Sequence, residues 1–171
     1  MLPKRQLRLS ALLLSFGFLF NASGTLAASN LQGQSAPDFA LRTLKQQNLR
    51  LSEFRGEVVL INFWASWCGA CRQAMPGLNE LHDKYHRAGL VMLSINLDDE
   101  VHRAMHMAQS LKIAFPVLLD ERKDVGRQYQ VDNMPMTLLI DREGIVRHVY
   151  VGYNRGDERK YLTEVRSLLN E

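Results

Sequence analysis

Apolar residues along this chain fall into two kinds of run. The first kind is continuous. Val58-Val59-Leu60-Ile61-Asn62-Phe63-Trp64 and Leu90-Val91-Met92-Leu93-Ser94-Ile95-Asn96-Leu97 carry almost no polar position. A strand with one wet face alternates; these do not, so both predict strands buried on two faces. Shorter groups at Phe115-Pro116-Val117-Leu118-Leu119, at 137–140 and at 145–151 predict further strands. The turn Asp141-Arg142-Glu143-Gly144 makes the last two an antiparallel pair. Residues 39–44 and 48–51 predict a hairpin across Lys45-Gln46-Gln47. Ser52 is expected to cap a short helical turn over 53–55, ended by Gly56.

The second kind of run has helical spacing. Met75, Leu78, Leu81 and Tyr85 mark a helix over 72–87, with a kink expected at Pro76 and a stop at Gly89. Asp98 and Asp99 are expected to cap a helix over 100–111. A short helix over 124–129 and an amphipathic one over 157–169 complete the pattern. Strands and helices alternate early, and a hairpin and helix close the chain. That order predicts an α/β fold: a central mixed sheet with helices on both faces and an N-terminal β-hairpin extension.

The N-terminus changes where this domain is expected to work. Lys4, Arg5 and Arg8 precede the apolar stretch 9–20, and small residues follow to Ala28. Thr25-Leu26-Ala27 suits a cleavage site, so residues 1–27 predict a signal peptide. An uncleaved anchor is the alternative, since no charge falls between Leu9 and Pro37 and a span needs about 20 mostly apolar residues. Residues 28–35 are polar and small and predict a linker; 36–171 form the domain. Export places that domain in the periplasm, and retention of the segment would anchor it to the inner membrane. The excess of 21 Lys and Arg over 18 Asp and Glu comes from the three basic residues of that segment. The remainder is balanced, which argues against a nucleic-acid partner. Membrane contact follows only if the segment is retained.

Chemistry concentrates at Trp64-Ala65-Ser66-Trp67-Cys68-Gly69-Ala70-Cys71, which holds the only two cysteines. They sit three residues apart, where a strand turns into a helix. Thiols at i and i+3 lie on one side of a helical turn and can form a disulfide. A structural zinc site needs about four ligands, and no second pair exists. A structural disulfide closing so short a loop removes little unfolded-state entropy. A redox dithiol fits the strand–turn–helix setting best. Unpaired N–H groups and the helix dipole favour a thiolate at the helix start. Cys68 is therefore expected to attack, and Cys71, one turn inside, to resolve.

These residues also carry a resemblance. The run Phe63–Cys71, with Pro76 five residues after the second cysteine, resembles the thioredoxin active-site strand and helix. Met134-Pro135-Met136-Thr137-Leu138-Leu139-Ile140-Asp141 is similar to the thioredoxin-family segment that faces the dithiol with a cis-proline. The opening Ala36-Pro37-Asp38-Phe39 and the insertion between Asp98 and Phe115 resemble the TlpA/ResA-like branch of secreted or membrane-anchored thiol-disulfide reductases. The resemblance implies a thioredoxin fold and a disulfide oxidoreductase without a cofactor. It implies Cys68 as nucleophile, Cys71 as resolving thiol and Pro135 as a cis-proline that exposes the backbone of Met134 to a substrate strand. Trp67 would cover one flank of Cys68. Expected partners are exported proteins with disulfides and a membrane electron donor of the DsbD type. Two positions depart from the family. Thioredoxins carry a buried Asp where this chain has Asn62, and several TlpA/ResA-like members carry a Glu where it has Ala74. Both acids assist proton transfer at the buried thiol.

Two other readings bear on the same residues. His82/His86 and His102/His106 are i, i+4 pairs, and Met105 and Met107 adjoin the second. Soft Met with His suits copper, so a copper-handling module using the dithiol and these residues is the alternative function. The plainer reading is solvent-facing helical histidines. Ala-Pro-Asp-Phe openings also occur in peroxiredoxins, but those place their reactive cysteine in a different motif, with Thr and Pro upstream.

Overall fold

Seven strands form one sheet in the computed structural model, which describes residues 31–171. The expected signal or anchor segment, 1–27, lies outside the described residues. The strands are β1 (Ala40–Thr43), β2 (Asn48–Arg50), β3 (Val58–Trp64), β4 (Leu90–Asn96), β5 (Val117–Leu119), β6 (Met136–Ile140) and β7 (Val146–Val151). Their order across the sheet is β2-β1-β5-β4-β3-β6-β7. β3 runs parallel to β4 and antiparallel to β6, so the sheet is mixed. The helices are α1 (Gly69–Tyr85), α2 (Val101–Ser110), α3 (Asp124–Gln128) and α4 (Glu158–Leu169).

The continuous apolar run of β3 is buried at every position, because helices cover both faces of the sheet at its centre. Val58, Leu60 and Trp64 point to one face and pack with Met75, Leu78 and Leu81 of α1 and Tyr161, Val165 and Leu168 of α4. Val59, Ile61 and Phe63 point to the other and pack with Phe39, Val125 and Tyr129. Each such side chain contributes about 1.5–3 kcal/mol by leaving water. α1 continues through Pro76, closes in a 3-10 turn at His86–Ala88 and ends at Gly89, whose φ of 100° suits glycine alone.

Three local expectations change. Residues 31–35, inside the segment read as linker, lie on the domain. Leu31 is buried, Gly33 N–H donates to Val146 O at 2.8 Å, and Ser35 bridges to Ile145. The helical turn after β2 spans Leu51–Phe54, so Ser52 lies inside it and does not cap it. Ser52 donates both its N–H (2.9 Å) and its hydroxyl (3.0 Å) to Asp38, while Glu53 accepts the Arg50 N–H at 3.1 Å. A carboxylate brought in from the start of the domain takes the donors a local cap would have used. Asp98 and Asp99 do not cap α2 either. Glu100 holds that position and makes no side-chain cap. Asp99 pairs with Lys123, and Asp98 is turned toward Ser66.

Candidate active site

β3 delivers the chain to the end of the sheet at Trp64, and α1 takes it away from Gly69. Between them the backbone turns sharply, with Cys68 N–H donating to Ala65 O at 3.1 Å. Cys68 holds an extended backbone (φ −81°, ψ 106°) and occupies the N-cap position of α1. Its Sγ accepts the N–H of Cys71 at 3.1 Å. One of the four donors that a helix start leaves unpaired is thus aimed at sulfur. The two cysteines form a disulfide with a Cα–Cα distance of 5.2 Å. Cys71 is fully buried among Leu60, Trp64 and Met75, whereas Cys68 keeps 7 % exposure. Of the two cysteines, the one at the cap is the one solvent reaches.

The strand on the other side of β3 brings the second expected segment to this turn. The antiparallel register pairs Phe63 with Met136 and Asn62 with Thr137. The Met134–Pro135 peptide, just before β6, therefore sits level with the end of β3. That peptide is cis. Gly152 N–H donates to the Pro135 carbonyl at 2.8 Å. Met134 is half-buried against the cluster that contains Cys68 and Cys71. Trp67 is 67 % exposed and stands at the rim beside the dithiol. Cys68, Cys71, Trp67, Met134 and Pro135 are thus gathered at one end of the sheet.

Both departures from the family pattern are buried on this face. Asn62 donates from Nδ2 to Thr137 Oγ1 at 3.0 Å, and Thr137 in turn hydrogen-bonds to the Tyr161 phenol of α4. A neutral chain of amide, hydroxyl and phenol therefore links β3, β6 and α4 beneath the dithiol. Burial pushes the Tyr161 phenol above its ordinary range, which keeps that chain uncharged. Ala74 follows Cys71 by one helical turn and is packed in the core.

Asp98 is the residue that sequence reasoning misplaced. It lies just beyond β4, is 3 % exposed, and accepts the Ser66 N–H at 2.9 Å and the Ser66 hydroxyl at 2.9 Å. Asn96 Nδ2 donates to it at 2.8 Å, and Asn96 Oδ1 accepts the Asp98 N–H at 3.0 Å. The signal was present in the strand pattern. Parallel register pairs Trp64 with Asn96, so two further residues on each chain bring Ser66 level with Asp98.

The histidine pairs lie on different helices. His82 and His86 stack on α1 with ring centroids 5.0 Å apart, and His82 meets the edge of Phe115. His102 and His106 lie on α2, where His102 Nδ1 is 3.2 Å from Glu100. Among the described residues no three His, Cys, Asp or Glu side chains converge as a metal would require. No described helix is long and apolar enough to cross a membrane.

Comparison with known proteins agrees with this geometry. The AhpC/TSA family model matches residues 32–149. The thiol-disulfide oxidoreductase ResA of Geobacillus kaustophilus is 34 % identical over 135 residues, which cover 78 % of each chain. The thioredoxin-like protein YneN of Bacillus subtilis is 33 % identical over 123 residues, covering 71 % of this chain and 72 % of that one. Among solved structures, one from Chlorobium tepidum, described as a thiol:disulfide interchange protein DsbE, superposes with a TM-score of 0.77. It is 36 % identical and covers 81 % of this chain and 97 % of its own. The dithiol at the start of α1, the cis-proline segment beside it and these relatives lead to one assignment: the chain belongs to the thioredoxin-like AhpC/TSA family and is one of its thiol-disulfide oxidoreductases.

Proposed function

We propose that this protein is a periplasmic reductase of disulfides in exported proteins, with Cys68 as nucleophile and Cys71 as resolving thiol. The observation that carries the reading is the Cys71 N–H aimed at Cys68 Sγ at the N-cap of α1. An N–H donor and the positive end of the helix dipole stabilise a thiolate there. In the reduced protein the Cys68 thiolate attacks a partner disulfide. A Cys68–partner S–S bond forms, the partner's own S–S bond breaks, and the departing sulfur takes a proton. Cys71, losing its proton, then attacks Cys68 Sγ. The enzyme disulfide closes and the partner leaves as a dithiol. Two electrons pass to the partner, so the protein must be re-reduced by an external dithiol, for which a membrane donor of the DsbD type is the proposed source.

Trp67, Met134 and Pro135 are proposed to bind the substrate strand, with the backbone of Met134 offered for pairing beside the dithiol. Residues 1–27 are proposed to direct export. N-terminal sequencing of the mature protein separates cleavage before Ala28 from retention as an inner-membrane anchor. For the copper alternative, His102, His106 and Met107 share one face of α2, while among the described residues no three His, Cys, Asp or Glu side chains converge.

A Cys71→Ala variant expressed in the cell envelope tests the reading. Partners should accumulate as covalent complexes through Cys68 and be released by dithiothreitol. The reading is overturned if no mixed disulfide forms and Cys68, once reduced, stays unreactive to iodoacetamide at neutral pH.

A further inference from the structure

Ser66 and Trp67 form one wall of an open groove beside the dithiol. The other wall is a single face of α2, carrying His102, Arg103, His106 and Met107. These positions repeat at helical spacing, so the face is continuous. The groove has a volume of about 260 Å³. Trp67 is the most exposed large apolar side chain among the described residues, and it stands next to Cys68 in the chain. An indole left in water at a reactive site is a ready contact for an apolar partner group.

The groove lining holds one guanidinium and no carboxylate. Arg103 carries a fixed positive charge on its wall, and the two histidine rings add hydrogen-bond donors. Glu100 is the acid that faces this set, 3.1 Å from Arg103 Nη2 and 3.2 Å from His102 Nδ1. Asp98 is buried behind Ser66, and Asp99 is paired with Lys123. On the dithiol turn itself, Arg72 Nη2 lies 3.9 Å from where a side chain on Gly69 would begin. Arg103 thus faces Trp67 across the groove, paired with Glu100, and Arg72 lies near Gly69 on the dithiol turn.

Resting on the reductase reading above, we propose that this groove docks an acidic stretch of the protein partner, with Asp or Glu within a few residues of the cysteine under attack. A partner joined to Cys68 as a mixed disulfide has its chain beside Trp67. Extended residues advance about 3.3 Å each, so side chains two or three positions from that cysteine reach the α2 face. Guanidinium groups take carboxylates in paired hydrogen bonds, which Arg103 can offer once Glu100 is exchanged for the incoming acid. The selectivity acts on encounter and orientation and is graded, because exposed ion pairs are individually weak.

The test uses two disulfide-linked model peptides that differ only in Asp or Lys at the positions flanking the target cysteine. Their reduction by the pre-reduced protein is followed in single turnover. The acidic peptide should react about three- to tenfold faster at low salt. The excess should vanish at 1 M salt, where the Debye length falls to about 3 Å. Arg103→Glu should abolish or reverse the preference, and Arg103→Lys should keep most of it. Equal rates for both peptides, or a preference that Arg103→Glu leaves untouched, overturn the proposal while the reductase reading stands. It is equally overturned if sedimentation shows the groove closed by a second copy of the chain, or if Arg103→Glu alters only binding to anionic vesicles. Reduction of neither peptide overturns the reductase reading itself.

Discussion

Asp98 holds Ser66 by two bonds, accepting its N–H and its hydroxyl at 2.9 Å each on opposite carboxylate oxygens. The carboxylate is buried, and its charge is met by hydrogen-bond donors instead of a cation. It ties the end of β4 to the loop that carries Trp67 and Cys68. Asp98→Ala leaves the Ser66 N–H and Asn96 Nδ2 without their acceptor and should cost about 2–4 kcal/mol in urea denaturation. Ser66→Ala, which removes only the hydroxyl, should cost about 1 kcal/mol. A double-mutant cycle should show the two changes to be coupled, and equal small losses for both would remove the loop-holding role.

Asn62→Asp restores a buried acid beneath the dithiol. Among the described residues Asn62 has no cationic hydrogen-bond partner; it meets Thr137 and, beyond it, Tyr161. Burial should raise the new carboxyl above its unfolded value of about 3.9. The unfolded chain then releases its proton first, so stability should fall as pH rises from about 4 until the folded group also ionises. The unmodified chain should lack this fall. Melting temperatures of both proteins between pH 4 and 8 provide the measurement.

His82 predicts the opposite slope. Burial, with a smaller contribution from the neighbouring His86, holds its pKa below the ordinary 6.5, while Asp83 pulls the other way. Its Nδ1 is buried without a hydrogen-bond partner. The unfolded chain therefore takes up the proton first. The contribution is complete above about pH 6.5 and is lost as pH falls below it. His82→Phe should flatten the pH dependence of the melting temperature between 7.5 and 5.5. An unchanged slope would place the titrating group elsewhere.

Tyr129 fastens the start of the domain to α3. Its hydroxyl donates to Pro37 O at 2.7 Å, and its ring packs edge-on to Phe39. Burial, with the charge of Asp38, drives its phenol well above the ordinary range, so it stays a donor at any working pH. Tyr129→Phe should cost about 1 kcal/mol. Hydrogen exchange at Phe39 and Leu51, whose backbones are joined, should quicken by more than exchange in β3.

What the chain reveals on reading, and what it hides, divides by distance along the sequence. The runs at 58–64 and 90–97 declare central strands because continuous apolar character has few other outcomes. Cys68 and Cys71 declare their chemistry because spacing and element boundary coincide. The second segment, around Pro135, is legible only through family resemblance, since nothing in its local composition says which strand it will lie beside. Asp98 and Ser52 show where local rules fail. Each has the residue type and spacing of a helix cap, and each is recruited by a group far off in the chain: Asp98 by Ser66, and Ser52 by Asp38. Those pairings depend on the registers β3/β4 and β1/β2, which the residues themselves do not announce. The face of α2 that borders Trp67 is hidden for the same reason.

In the proposed cycle Cys68 is both a reactant and a piece of architecture. Its sulfur closes the first turn of α1, so every covalent state of that sulfur is also a different way of starting the helix. As a thiolate it is a strong acceptor for the Cys71 amide, as half of a disulfide a weak one, and when bonded to a partner it carries that partner's chain at the helix tip. The redox cycle is therefore written into the backbone at Gly69–Cys71, where an amide resonance can serve as a running record of turnover without any added label.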